Sequence, residues 1–143
     1  MKQSVQFSDS IHILAYLALY DQPDDLKSSV IAGSVNTNPS NVRKIIGQLR
    51  RAGLVTSQQG KVSPQVAKSL SDISLLDVFK SLDKDNQVLM VDKNTNFDCQ
   101  VGANIQGVLT DYYDHIQSVV EKELALISLA DIVHNLQERI KQP

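Results

Sequence analysis

The stretch Asn36-Thr37-Asn38-Pro39-Ser40-Asn41-Val42-Arg43-Lys44-Ile45-Ile46-Gly47-Gln48-Leu49-Arg50-Arg51-Ala52-Gly53 decides how this chain is read. It opens on a polar turn in which Asn38 stands as an N-cap. Pro39 takes the first helical position, where its missing N–H costs nothing. Val42, Ile45, Ile46 and Leu49 then share one face of a helix over 39–52, and Gly53 closes it as a C′ residue. The opposite face is polar and basic. Just upstream, Ser28 caps a short helix carrying Val30, Ile31, Ser34 and Val35. Two short helices joined by a tight polar turn form a helix-turn-helix.

Reading outward toward the N-terminus, Ser8 is the expected cap of a first helix in which Ile11, Leu14, Ala15, Leu17 and Ala18 recur at helical spacing up to Asp21 and Pro23. On the other side, Leu54-Val-Thr-Ser and Lys61-Val-Ser flank Gln58-Gln59-Gly60, which predicts a small β-hairpin wing over 54–66 with Pro64 holding its second strand to an edge. Ser74-Leu-Leu-Asp77 is a capping box opening a helix through Val78, Phe79 and Leu82. Residues 86–98 show no periodicity beyond the brief run Val88 to Val91 and are expected to form a loop with one extended piece. From about Val101 to Ile127 runs the longest periodic segment, with one apolar stripe of Ile105, Leu109, Tyr112, Ile116, Val119 and Leu126, broken at Glu123, and a second of Tyr113, Val120, Leu124 and Ile127. One stripe suffices to pack a helix on its own domain; two point to a partner helix. Ser128-Leu-Ala-Asp131 is a second capping box, opening a final amphipathic helix. The expected fold class is mostly α: a winged helix-turn-helix domain with a small hairpin wing, plus a long C-terminal dimerisation helix. The expected division is 1–83 for the DNA-binding domain, 84–100 for a linker or sensor loop, and 101–143 for the dimerisation and C-terminal helices.

Charge is distributed unevenly. The chain of 143 residues has a formal net charge of −2. Between residues 26 and 71, however, Lys27, Arg43, Lys44, Arg50, Arg51, Lys61 and Lys68 stand without one acidic residue. A basic, acid-free stretch inside an acidic chain points to a polyanion-binding face. The single cysteine, Cys99, excludes a disulfide framework and the multi-cysteine zinc patterns. The longest apolar run, Ile11 to Tyr20, is too short to span a bilayer, and no cationic lead-in beyond Lys2 precedes it. A cytoplasmic protein without a membrane partner is expected.

The helix over 39–52 suits a DNA major groove. Its N-terminal half presents Ser40, Asn41, Arg43 and Lys44, short polar and cationic side chains of the kind that reach base edges. Arg43 can bond a guanine bidentately, and Asn41 an adenine edge. Ser40 and the N–H groups after Asn38 can bind a phosphate. Arg50 and Arg51 at the helix end, with Gln59 and Lys61 on the wing, would hold the backbone. Double-stranded DNA is thus the expected partner, and the alternative is a winged-helix module that binds protein, which has no need of this group at a helix start. No catalytic arrangement emerges. His12, His115 and His134 lie on separate helices without metal-ligand spacing, and no nucleophile or phosphate-loop motif is present. Cys99, at the start of the long helix, is a candidate redox sensor, because helix N–H groups favour the thiolate.

Several strings together resemble the Rrf-two family of bacterial winged-helix regulators, the fold of IscR and NsrR. They are Ile11-His-Ile-Leu-Ala-Tyr-Leu-Ala-Leu, Ile31-Ala before the polar turn, Leu49-Arg-Arg-Ala-Gly-Leu-Val-Thr-Ser, Ile73-Ser-Leu-Leu-Asp-Val-Phe, and Cys99-Gln-Val-Gly ahead of the long helix. The last resembles the YwnA-like branch, which lacks a cluster. The resemblance implies a homodimeric DNA-binding transcription regulator, usually a repressor, whose long helices pair the subunits. Cluster-binding members carry three cysteines before that helix. Here only Cys99 matches, so no cofactor and no iron–sulfur cluster is expected. The family's Gly-Gly-Tyr wing tip is replaced by Gly60-Lys61-Val62-Ser63-Pro64, so wing contacts do not carry over. Arg43 stands where a cluster-binding member has an acidic residue, which implies a different target sequence.

Overall fold

The computed structural model describes residues 2–56, 63–82 and 86–142. Six α-helices follow in order: α1 Lys2–Leu19, α2 Ser28–Val35, α3 Pro39–Arg51, α4 Leu75–Lys80, α5 Gln100–Leu126 and α6 Leu129–Lys141. Short 3-10 turns at Pro23–Leu26 and Leu70–Asp72 join them.

α1 begins six residues before the expected cap at Ser8, because Lys2–Phe7 contains no breaker and Phe7 is held by an edge-to-face contact with Phe79 of α4, centroids 5.4 Å apart. Ser28 is the first residue of α2 rather than its cap; extended Lys27 takes that place without a side-chain bond. The turn into α3 follows the sequence reading. Asn36 adopts a left-handed φ of 63°, Thr37 N–H reaches back to the Ala32 carbonyl, and Asn38 Oδ1 accepts from the Asn41 N–H at 2.8 Å. α3 ends in a Schellman motif: with Gly53 at φ 78°, its N–H bonds the Arg50 carbonyl and Leu54 N–H bonds that of Leu49.

The wing's register differs from expectation. Val55 pairs with Val66 in an antiparallel bridge, with Thr56 N–H on the Gln65 carbonyl and Ala67 N–H on that of Leu54. The partner of Leu54–Thr56 is therefore 65–67, beyond Pro64, while Lys61 and Val62 of the expected second strand lie outside the described residues. Proline offers no N–H to a ladder, so pairing is displaced past it. Gln59 and Lys61 lie outside the described residues.

One apolar core joins α1, α2, α3, α4 and α6: Ile13, Leu14, Ile31, Val42, Ile45, Leu49, Leu54, Ile73, Val78, Leu129 and Val133 are all buried in it. α4 stops at Lys80, so Leu82 is buried just past the helix end and not within it. Both expected capping boxes are formed, Ser74 with Asp77 and Ser128 with Asp131. The two serines also pair with each other across an antiparallel bridge, fixed by Leu75 N–H on the Ile127 carbonyl and Leu129 N–H on that of Ile73, each 2.8 Å. This clamp sets α6 back onto the body against α1.

α5 has no buried residue. Residues 86–98 run along it without a strand, strapped by its glutamines. Gln117 accepts from Val88 N–H and donates to the Asn86 carbonyl, while Gln106 donates to the Lys93 carbonyl and Thr95 Oγ1.

Candidate nucleic-acid interface

At 100° per residue, the stripe of α3 made by Val42, Ile45, Ile46 and Leu49 turns entirely inward, and Gln48 is buried with it. The remaining face carries exposed Ser40, Arg43, Lys44, Arg50 and Arg51. Arg43 Nη2 rests on Ser40 Oγ at 3.3 Å, so these two side chains form one polar group at the helix start. Asn41 is drawn inward: half-buried, it donates its amide to Thr37 Oγ1 at 3.1 Å and gives its backbone N–H to the Asn38 cap. One of its two amide hydrogens is thus engaged in holding the turn.

A cleft of about 640 Å³ opens beside this face, between the start of α2, the outer side of α3 and the base of the wing. Lys27, Ser28, Arg43, Arg50 and Pro64 line it. Three cations, Lys27 just before α2 and Arg43 and Arg50 on α3, thus share a concave surface with the N-terminus of α2, where helix N–H groups favour an anion. Lys27 belongs to the basic stretch, yet the sequence reading does not place it at the site. Its signal was its position immediately before Ser28, at a helix start. Its surface pair with Asp24, 3.4 Å apart and largely exposed, is worth little and is easily exchanged for a phosphate.

The long helix divides by angle. Tyr113, Val120 and Leu124 fall on the half-buried side, toward the body. Tyr112 (67% exposed), Val119 (52%) and Ile116 (39%) stand out in solvent. Ile105 and Leu109, expected on the same seam, are half-buried at its edge. Leu126 continues this face, as its place in the stripe predicts, and Val101 and Val108, which the sequence reading does not include, extend it along the whole helix.

Cys99 is exposed and occupies the N-cap position of α5. The backbone N–H of Gly102, and then that of Val101, hold its thiol below the ordinary thiol range. Gly102 is there for a steric reason: a Cβ at that position would lie 2.1 Å from the Asn96 carbonyl oxygen.

Residues 3–135 match the model of the Rrf2 (Rrf-two) family, described as an iron-dependent transcriptional regulator. YwnA of Bacillus subtilis, described as an HTH-type transcriptional regulator, is 37% identical over 127 residues, covering 89% of this chain and 93% of its own. The crystal structure of a protein described as DNA-binding aligns with a TM-score of 0.71 at 35% identity, over 89% of this chain and 97% of that one. IscR of T. potens shares the fold, with a TM-score of 0.63 at 19% identity over 94% of this chain and 87% of its own. The chain has one cysteine, and among the described residues no three His, Cys, Asp or Glu side chains converge as a metal site. No helix among the described residues is long and apolar enough to cross a membrane.

Proposed function

This chain belongs to the Rrf2 family of transcriptional regulators and is not an enzyme; from that premise we propose that it works as a cytoplasmic homodimeric repressor, without an iron–sulfur cluster, on a palindromic operator. The observation that carries this reading is the cleft where Lys27, Arg43 and Arg50 meet beside the exposed start of α3. In this reading Ser40, Arg43 and Lys44 enter the major groove. Asn38, Arg50, Arg51 and Lys27 hold phosphates, and Gln59 and Lys61, outside the described residues, are assigned the same role. Asn41 reads an adenine by its carbonyl oxygen and its remaining amide hydrogen, or exchanges its bond to Thr37. The exposed face of α5, centred on Tyr112, Ile116 and Val119 with Ile105 and Leu109 at its edge, pairs two subunits and sets half-sites about 34 Å apart on one DNA face.

The test is a filter-binding titration against the DNA upstream of its own gene. With most of the seven basic residues of 26–71 on phosphates, affinity falls ~10³-fold or more per dimer between 50 and 200 mM salt. A flat salt response overturns the reading.

A further inference from the structure

We propose that the groove between α1 and α6 is a binding site for a small amphipathic anion, a monocarboxylate on an aliphatic or aromatic body. The groove holds about 500 Å³ and is walled by Ile11, His12 and Ala15 of α1 and by Ile132, Leu136 and Arg139 of α6. That volume suits one small ligand.

The groove exists because α6 outruns its cover. Its apolar stripe runs Leu129, Val133, Leu136, Ile140 at helical spacing. The first two are buried in the core, whereas Leu136 is 37% and Ile140 68% exposed. Opposite them α1 offers small Ala15, half-buried Ile11 one turn before it and polar Ser8 two turns before it. A continuous stripe therefore passes from packed to open at the point where the facing side chains become short.

The polar rim decides what fits. Among the lining residues the only ionisable side chains are His12 and Arg139, and no carboxylate is present. The neighbouring acids on α6 are engaged: Asp131 accepts from Ser128 N–H in the capping box, and Glu138 pairs with Lys141 at 3.6 Å. Arg139 forms no ion pair among the described residues. A cation beside an apolar wall calls for an anion with an apolar body, since exclusion of water strengthens the charge-assisted bonds. A cationic amphiphile of the same length would meet Arg139 unfavourably. His12 also bonds Ser34 Oγ of α2 at 2.9 Å, which places an occupant one hydrogen bond from the helix-turn-helix.

The site goes beyond the DNA reading and is tested without DNA, by calorimetric titration of the full chain with decanoate and with decylamine. Decanoate binds saturably at one site per subunit, and decylamine at least tenfold more weakly. Arg139→Glu lowers decanoate affinity tenfold or more, Arg139→Lys retains most of it, and Leu136→Asp abolishes it. Circular dichroism on each variant checks that the fold is kept. Equal binding of the two amphiphiles, unchanged affinity in Arg139→Glu, or no saturable binding overturns the proposal. So does a finding that Arg139→Glu and Leu136→Asp change the oligomeric state while decanoate does not bind, because the groove would then be covered by a second copy of the chain.

Discussion

Arg43 and Asn41 sit two positions apart on one helix, yet their surroundings differ. Arg43 is exposed and, among the described residues, is bonded to the Ser40 hydroxyl, itself on the surface, while Asn41 is tied to Thr37. Sequence treated the two alike, as side chains with the right donors for base edges, because an amide's second allegiance to a turn hydroxyl is a tertiary detail. Arg43→Ala is expected to cost roughly 1–3 kcal/mol in operator binding and to relax discrimination at one base position. Comparing the mutant's base preferences with wild type on a panel of single-substituted operators checks this; an unaltered preference profile would remove Arg43 from base reading. Cys99 belongs to the same scale. The Gly102 and Val101 N–H groups favour its thiolate, so the thiolate fraction at neutral pH exceeds that of an ordinary exposed thiol. Alkylation by iodoacetamide followed against pH is expected to show its midpoint below that of a cysteine in a denatured control.

Among the elements, the junctions hold more information than the helices. Ser74 and Ser128 each complete a capping box, and each is legible from the sequence as serine followed three residues later by an acid. Their pairing is not legible, since 54 positions separate them and local pattern says nothing of which helix starts lie side by side. Ser128→Ala removes the cap of α6, and about 1 kcal/mol of stability is expected to go with it, read as a lower urea midpoint. The start of α5 offers a sharper contrast. Gly102 lies under the Asn96 carbonyl, so Gly102→Ala forces backbone apart and is expected to destabilise by roughly 1–3 kcal/mol. Gly107, five residues on, has nothing within 4 Å of a built Cβ, and Gly107→Ala in the helix interior is expected to stabilise by about 0.5–1 kcal/mol. Both are measured in the same urea titration; a gain at both positions would mean that residues 95–99 are not seated on the helix.

At the scale of the whole molecule, the apolar face of α5 carrying Val108, Tyr112, Ile116 and Val119 is left uncovered by a single chain. Tyr112→Asp with Ile116→Asp puts two carboxylates into the proposed seam, each costing several kcal/mol if buried there. Light scattering is expected to show a monomer, with operator affinity falling in parallel because a lone half-site contact loses the second one. A double mutant that stays dimeric would move the interface elsewhere, for example to the exposed ends of α1 and α6.

By itself the sequence determined the helix-turn-helix, its caps at Asn38 and Gly53, the length of α5 and both serine capping boxes. Each is written in residues within a few positions of one another, where hydrogen bonds and helical periodicity act locally. It also exposed the basic stretch, because charge is additive and needs no fold to be counted. Tertiary structure alone decided the rest. The bridge from Val55 to Val66 set the partner of Leu54–Thr56 beyond Pro64, which has no N–H to give a ladder, and Lys27 joined Arg43 and Arg50 because α2 and α3 cross there. Which stripe of α5 faces the body, and the return of α6 to α1, were settled by the Ser74–Ser128 clamp and by burial of Leu129 and Val133. Those outcomes depend on which apolar surfaces exclude water together, and that is a property of the packed chain.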